Sequence, residues 1–506
     1  MVRPFPLLPF LLVLTVLGCL EIDDFPQLEL EESSPRLAFP LLQASVLTDD
    51  MIDLLADSVS IFLNENGIYT ALFEAESFVR TKADLLPPIS PGLPIPITDT
   101  VVVLPFTSID SFNLTYFILK GNRIFFVLNT DAVEDVMVTL SIVPLERQGI
   151  PFSFTYRIPY SGDKTSTLVT QPIDLNGFEA RISNEPIALE YQAQLEDGNS
   201  IPLLLSFAQI DAVDFAYIEG TISSTSVFST EQVLTLDLQN RFVDGEFAFQ
   251  NPVIHFDVSN SFGLPIAAIL RALYVVDSRG TEALLQSDLV NQPIELGFPS
   301  LQEIGLTRVA RFTFDKSNSN ILEIAESDVR EIRYELDLLL NPSGDSDQPF
   351  FITDSSEVNL QVEAELEFDA FVKSIDLEWL LEVSIPEIDS LEEARLKMVI
   401  DNGIPLQFTP QLIFENGQTG DSLLWRSDEL GVSIASATVD SFGEVTASSR
   451  TISFYTLSRE DIVILRSADK LKAFFELVSP RDGSHPARIR PRQQLDLMLG
   501  MEAKLR

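Results

Sequence analysis

A single cysteine, two histidines and two tryptophans in 506 residues remove whole branches of chemistry before any fold is considered. With one thiol the chain has no internal disulfide available, so its stability rests on packing. A zinc site needs more histidine or cysteine than is present. Ser-His-Asp or Cys-His catalysis needs a histidine beside the nucleophile. Here His255 lies in the apolar run Val253 to Val258, where it reads as structural, and His485 lies in the turn-like Arg481-Asp482-Gly483-Ser484-His485-Pro486. Gly-x-Ser-x-Gly, Gly-x-Gly-x-x-Gly, His-Glu-x-x-His and phosphate-loop motifs do not occur. Positive charge is scarce as well. With 33 basic and 76 acidic residues the net charge is 33 − 76 = −43, which repels phosphate backbones and argues against nucleic acid as a partner. No cofactor and no metal are expected. The weak Asp345-Ser346-Asp347 loop, the nearest thing to a calcium motif, reads as a polar turn.

Long apolar runs are missing too. The stretch Phe5 to Leu17, interrupted by Pro6, Pro9 and Thr15 and preceded by Arg3, is shorter than the ~20 residues a membrane-crossing helix requires. It reads as the hydrophobic region of an export signal. Val16-Leu17-Gly18-Cys19 ends it and resembles the lipobox of bacterial lipoproteins, in which the cysteine is acylated and becomes the new N-terminus. That resemblance implies a signal peptide over 1–18, lipidation at Cys19, and the membrane as a partner through that residue. Residues 19–36 then form an acidic tether, with Glu21, Asp23, Asp24, Glu29, Glu31 and Glu32. Acidic residues directly after the cysteine are similar to the surface-export signal of Bacteroidota lipoproteins. The expected location is the cell outer membrane, lipid-anchored, with the leaflet left open and surface exposure implied only by that second resemblance.

What remains is a folding chain: hydrophobic residues make up 45%, and 36 residues are Phe, too apolar for disorder. The length suggests about three domains. In the region 37–96, Thr48 suits the N-cap of a short helix. Asn64-Glu65-Asn66-Gly67 between Val59–Leu63 and Ile68–Phe73 predicts a hairpin. The prolines from Pro87 to Pro96 predict a stiff linker. Beyond it a strand reaching an asparagine and then a turn recurs at Asn129, Asn260 and Asn402, twice ending in proline, as Asn260 to Pro265 and Asn402 to Pro405. Helical segments near Ile321 and Ile462 follow at matching distances, and each precedes a strand, Glu331 to Leu340 and Lys470 to Val478. The pattern predicts a mainly β chain of tandem antiparallel β-sandwiches over 97–208, 209–350 and 351–506, with the two Asn-to-Pro segments as equivalent hairpin turns. Alternation from Leu495 to Leu505 closes the chain on a strand.

Gly245 to Ile266, with Asn251-Pro252 ahead of Asn260 to Pro265, resembles a family of Bacteroidota envelope lipoproteins, and more weakly the Ig-like domain of late-embryogenesis-abundant type 2 proteins. The first resemblance implies an exported envelope protein and supplies no catalytic residues. Ligand contacts are expected in the last module. Trp379 and Trp425 could form a sugar-stacking platform, although core positions suit them better. Arg488, Arg490 and Arg492 would share one face of a strand, where the chain's own carboxylates are the expected partners and lipid phosphate the sharper alternative. The function expected is a non-catalytic structural or binding module with an envelope protein or glycan as partner. Two alternatives stand beside it: surface glycan binding, and a carboxylate-based glycan hydrolase recognisable by a cleft with two facing acids.

Overall fold

The structure, a computed structural model, describes residues 36–505 apart from 57–58, 87–93, 105–107, 110–111, 183–185, 212, 223–225, 237–244, 326–328, 346, 383–390, 417–418, 420–421 and 427–432. The signal, Cys19 and nearly all of the acidic tether lie outside the described residues. The fold is mainly β, 61% strand and 6% helix, and every pairing between strands is antiparallel. No helix among the described residues is long and apolar enough to cross a membrane.

Period-two patterning explains the strands. Along Pro252–Asn260 buried and half-buried residues alternate without a break, and in Glu357–Glu367 the same alternation follows the exposed Glu357. Side chains of one parity therefore leave water together. Phe256 is fully buried, stacks on Phe312 of the same sheet at 5.0 Å, and meets Tyr334 of the facing sheet edge-on at 5.4 Å. Burial pushes the Tyr334 phenol up to about 12. Such contacts make two sheets into a sandwich.

Three sandwiches share one strand order. In the second, Tyr69–Glu74, Glu357–Glu367, Pro252–Asn260 and Arg308–Phe314 lie side by side, opposite Ser226–Thr235, Val329–Leu340, Ile266–Asp277 and Glu282–Leu284. The third repeats this with Arg36–Leu47, Gln494–Leu505, Leu391–Asn402 and Ser449–Leu457, opposite Asp369–Glu382, Lys470–Val478, Gln407–Glu415 and Ser422–Arg426. The first uses Ile95–Ile97, Ser206–Ile210, Arg123–Thr130 and Ser166–Val169, opposite Val101–Val103, Ala188–Gln194, Val136–Arg147 and Ile150–Ile158. Helices Ile321–Ile324 and Arg459–Ser467 occupy the same place in the second and third.

The sandwiches are nested rather than strung in series, which redraws the expected boundaries. Region 37–96 is not separate: Arg36–Leu47 is an edge strand of the third sandwich, and the hairpin of Ser60–Leu63 with Tyr69–Glu74 joins the second. Past residue 209, Phe215–Ile222 still pairs with Phe112–Leu119 in a sheet of the first. Past residue 351, Glu357–Glu367 belongs to the second. Strand existence is local, but the sheet a strand joins is set by partners hundreds of residues away. Thr48 differs as well: it is the first residue of helix Thr48–Ala56, and its hydroxyl donates to Arg490 O at 2.6 Å.

The recurrent turns are arches, not hairpins, because each carries the chain from one sheet to the facing one. Asn260 and Asn402 are fully buried; Asn260 Oδ1 accepts from Phe262 N at 2.9 Å and Asn402 Oδ1 from Ile404 N at 2.8 Å. In the first sandwich this role falls to Thr130 rather than Asn129, since the buried Thr130 hydroxyl accepts from Ala132 N at 3.2 Å. A short oxygen-bearing side chain satisfies the turn in each.

One arch also joins two sandwiches. Gly263 and Phe351 exchange backbone hydrogen bonds of 3.0 and 3.1 Å, and the Phe351 ring occupies the space beside the glycine where a Cβ would stand. A Cβ at 263 would sit 2.0 Å from Phe351 Cδ1. Gly263→Ala is therefore expected to cost about 3 kcal/mol by overpacking. Denaturant unfolding checks this, and the loss should shrink markedly in the Gly263→Ala, Phe351→Ala double variant.

Candidate functional site

The sequence singled out an arginine row, and the structure places it at the joint between the second and third sandwiches. Arg488 donates to Asp369 Oδ2 from Nη2 at 2.6 Å and from Nε at 3.1 Å, and to Glu444 Oε1 from Nη1 at 2.9 Å. Arg490 donates to Glu444 Oε2 from Nε at 2.6 Å and to Oε1 from Nη2, and its Nη1 reaches the carbonyl oxygens of Asn66 and Gly67 in the hairpin of the second sandwich. Asp369 is almost fully buried. The cluster is balanced, with two guanidiniums on two carboxylates. The Arg490 guanidinium, followed by Arg488, holds the Glu444 carboxyl below the ordinary range despite its burial.

Arg492 leaves this row. Only Ala487–Arg488 is strand, and Arg492 sits in a turn at φ 62°, its N–H donating to Asp49 Oδ2 at 2.7 Å. That bond, more than any other, lowers the Asp49 carboxyl, which also accepts from the Tyr69 hydroxyl at 2.9 Å. Burial and the Asp49 bond push the Tyr69 phenol up to about 12. The arginine segment thus ties the first helix, the hairpin and two sandwiches together.

Trp379 and Trp425 occupy one cross-strand row, with Ala473 and the buried Leu412 between them. Their side chains lie outside the described residues. Asp345 serves its own turn, accepting from Asp347 N at 3.1 Å. Among the described residues no cluster of three or more histidine, cysteine or carboxylate side chains is placed to hold a metal.

His255 forms a row with Thr313 and Glu365. Its Nδ1 is 2.8 Å from Thr313 Oγ1 and its Nε2 is 3.5 Å from Glu365 Oε1. The order mimics a hydroxyl-histidine-acid relay, but the strand is central, paired on both sides by Arg308–Phe314 and Glu357–Glu367. Its backbone N–H groups are committed to the ladders, which leaves none to stabilise an oxyanion. The second histidine, His485, places Nε2 2.9 Å from Asp440 O in the neighbouring turn.

A surface that sequence reasoning missed lies on the outer face of the first sandwich. Cross-strand rows there bring Arg181, Tyr116 and Glu219 together, and beside them Glu179, Ile118 and Tyr217. The tyrosine rings are 5.7 Å apart, Tyr116 donates to Glu179, and Tyr217 donates to Glu219 Oε2 at 3.2 Å. The Arg181 guanidinium sits 4.6 Å above the Tyr116 ring. Burial, then Glu179, pushes the Tyr116 phenol up to about 12, and burial with the Glu219 charge raises Tyr217 as well. Both phenols stay protonated at neutral pH, so they are donors and apolar platforms rather than nucleophiles. In Phe112–Leu119 the burial phase flips at Tyr116, where an inward-reading position turns outward. The only trace in the sequence is a tyrosine inside an apolar run.

No family model matches the chain, and no curated protein sequence matches it. Among solved structures, a Parabacteroides distasonis protein described as secreted aligns at 10% identity and TM-score 0.31, covering 93% of this chain and 99% of that one. A structure of the infectious bursal disease virus Gt strain aligns at 9% identity and TM-score 0.16, covering 98% of this chain and 86% of that one. Likenesses at these scores carry no functional reading. The class the strands themselves define is an antiparallel β-sandwich protein.

Breaking the arginine joint should be costly, because Arg488→Ala strands the buried Asp369 carboxylate. A loss of about 3 kcal/mol is expected, measured by denaturant unfolding. Glu444 has a depressed folded pKa, so its contribution is present above the ordinary glutamate value of about 4.3 and is lost as pH falls through the lower folded value. Glu444→Gln should lower stability at neutral pH and lose less on acidification. Unfolding curves from pH 7 to about pH 3 decide this, with parallel losses in both proteins counting against it.

Proposed function

We propose that this chain is an exported, lipid-anchored envelope protein in which nested β-sandwiches, held at the membrane through Cys19, serve as a structural or binding module without covalent chemistry. The observation that carries the reading is the use of the charged cluster at Arg488 and Arg490, whose guanidiniums sit on Asp369 and Glu444 and join sandwiches. The flat, fully paired setting of His255 supports it further. Sixteen residues lie between Cys19 and Arg36, enough at ~3.3 Å per residue for the body to stand clear of a lipid surface. The test is membrane retention: Cys19→Ala should leave a folded chain that fractionates as soluble, whereas recovery in the same membrane fraction as wild type would sink the lipid-anchor reading.

A second reading, capture of a neutral glycan, is favoured by the outer face around Tyr116 and Tyr217. Aromatic rings there lie beside the acceptors Glu179 and Glu219 and the donor Arg181, the combination that holds sugar C–H faces and hydroxyls. The net charge of −43 favours neutral over acidic glycans. Titration of the purified chain with neutral and acidic polysaccharides should show binding to the neutral set, weakened at least about tenfold by Tyr217→Ala. Equal binding by the variant would refute this site.

A further inference from the structure

The third sandwich has an outer sheet face on which apolar side chains stand among paired charges. Strand pairing fixes two rows across it: Pro40, Gly500, Lys397 and Phe454, then Met498, Val399 and Ile452. Phe454 is 42% exposed and Ile452 46%, and both stand within a regular strand, Ser449–Leu457 at the edge of its sheet, rather than a loop. The charged neighbours are matched. Arg395 donates to Glu502 at 2.6 Å and lies 4.5 Å over the Phe454 ring, while Arg450 is 3.7 Å from Asp401. Lys397, nearly buried, points its amine at the same ring from 5.8 Å.

We infer that this face is a self-association surface, the outer sheet of one copy stacking on the same sheet of a second. Charge selects the occupant. Copies of net charge −43 repel one another everywhere except where acids are locally balanced, and an anionic lipid surface would be repelled in the same way. Shape agrees, since Gly500 and Pro40 keep the rows low and sheets pack face to face at ~10 Å. Four strands by four outward positions span about 19 by 27 Å. That plane of about 500 Å² per partner is below the ~800 Å² of a standard interface and suits a weak, reversible dimer. The face is made by the same residues on both copies, so a two-fold contact closes at the dimer.

Sedimentation of the chain from residue 20 onward, which includes every described residue, tests this. A monomer–dimer equilibrium is expected at micromolar concentration, shifting toward dimer as salt screens the net charge. Phe454→Asp and, separately, Ile452→Asp should each weaken it at least about tenfold with unchanged thermal midpoints. Val463→Asp, at an exposed position of helix Arg459–Ser467, should not. A monomer at all concentrations and salts overturns the inference, as does a dimer indifferent to both face variants. Binding of a monomeric wild type to phosphatidylethanolamine–phosphatidylglycerol vesicles, lost in Phe454→Asp, would assign the face to lipid and overturn it too.

Discussion

A strand that leaves one sheet and enters the facing one must cross the core, where its peptide groups have neither water nor a ladder partner. Everything else in this fold depends on meeting that demand, because an unpaired buried amide costs on the order of a few kcal/mol. Asn260, Asn402 and Thr130 meet it with short side chains that carry an acceptor, each fully buried at the same place in its sandwich. Asn402 adds donors to Leu406 O at 2.8 Å and Ala435 O at 2.9 Å. With the crossing satisfied, alternating strands on either side can close on a common core.

The scarcity of cations gives their placement meaning. Lys82, almost fully buried, donates to Phe215 O at 2.6 Å, Asp214 at 2.7 Å and Asp354 at 3.1 Å, tying the second sandwich to the first. Lys120 reaches the other oxygen of Asp354 at 2.6 Å and is the leading cause of its lowered pKa. Arg488 and Arg490 act likewise at the next joint. A chain with far more acids than bases thus sets several of its bases where sandwiches meet, and its joints weaken in acid rather than in alkali.

Much of the local structure was legible. The Asn64–Gly67 turn, the helix holding Ile462, and the strand Lys470–Val478 follow from turn chemistry and from the repeated spacing. Partner choice was not legible, since nothing in Arg36–Leu47 marks Gln494–Leu505 as its neighbour. Nor was the phase flip that turns Tyr116 outward, because a bulge changes facing without changing composition. The arginine row was found, but its role was set by Asp369 and Glu444, acids indistinguishable in sequence from seventy-four others among 76.

Nesting has a consequence for the order in which the molecule can form. Synthesis delivers Arg36–Leu47 hundreds of residues before Gln494–Leu505, its strand partner among the described residues. The innermost sandwich can close while the outer two still lack strands, and the third can close only when nearly the whole chain is present. Pairing at such sequence separation is slow, and the waiting edge is apolar. A chain built this way keeps the edge of its early strand unpaired until its distant partner has been made.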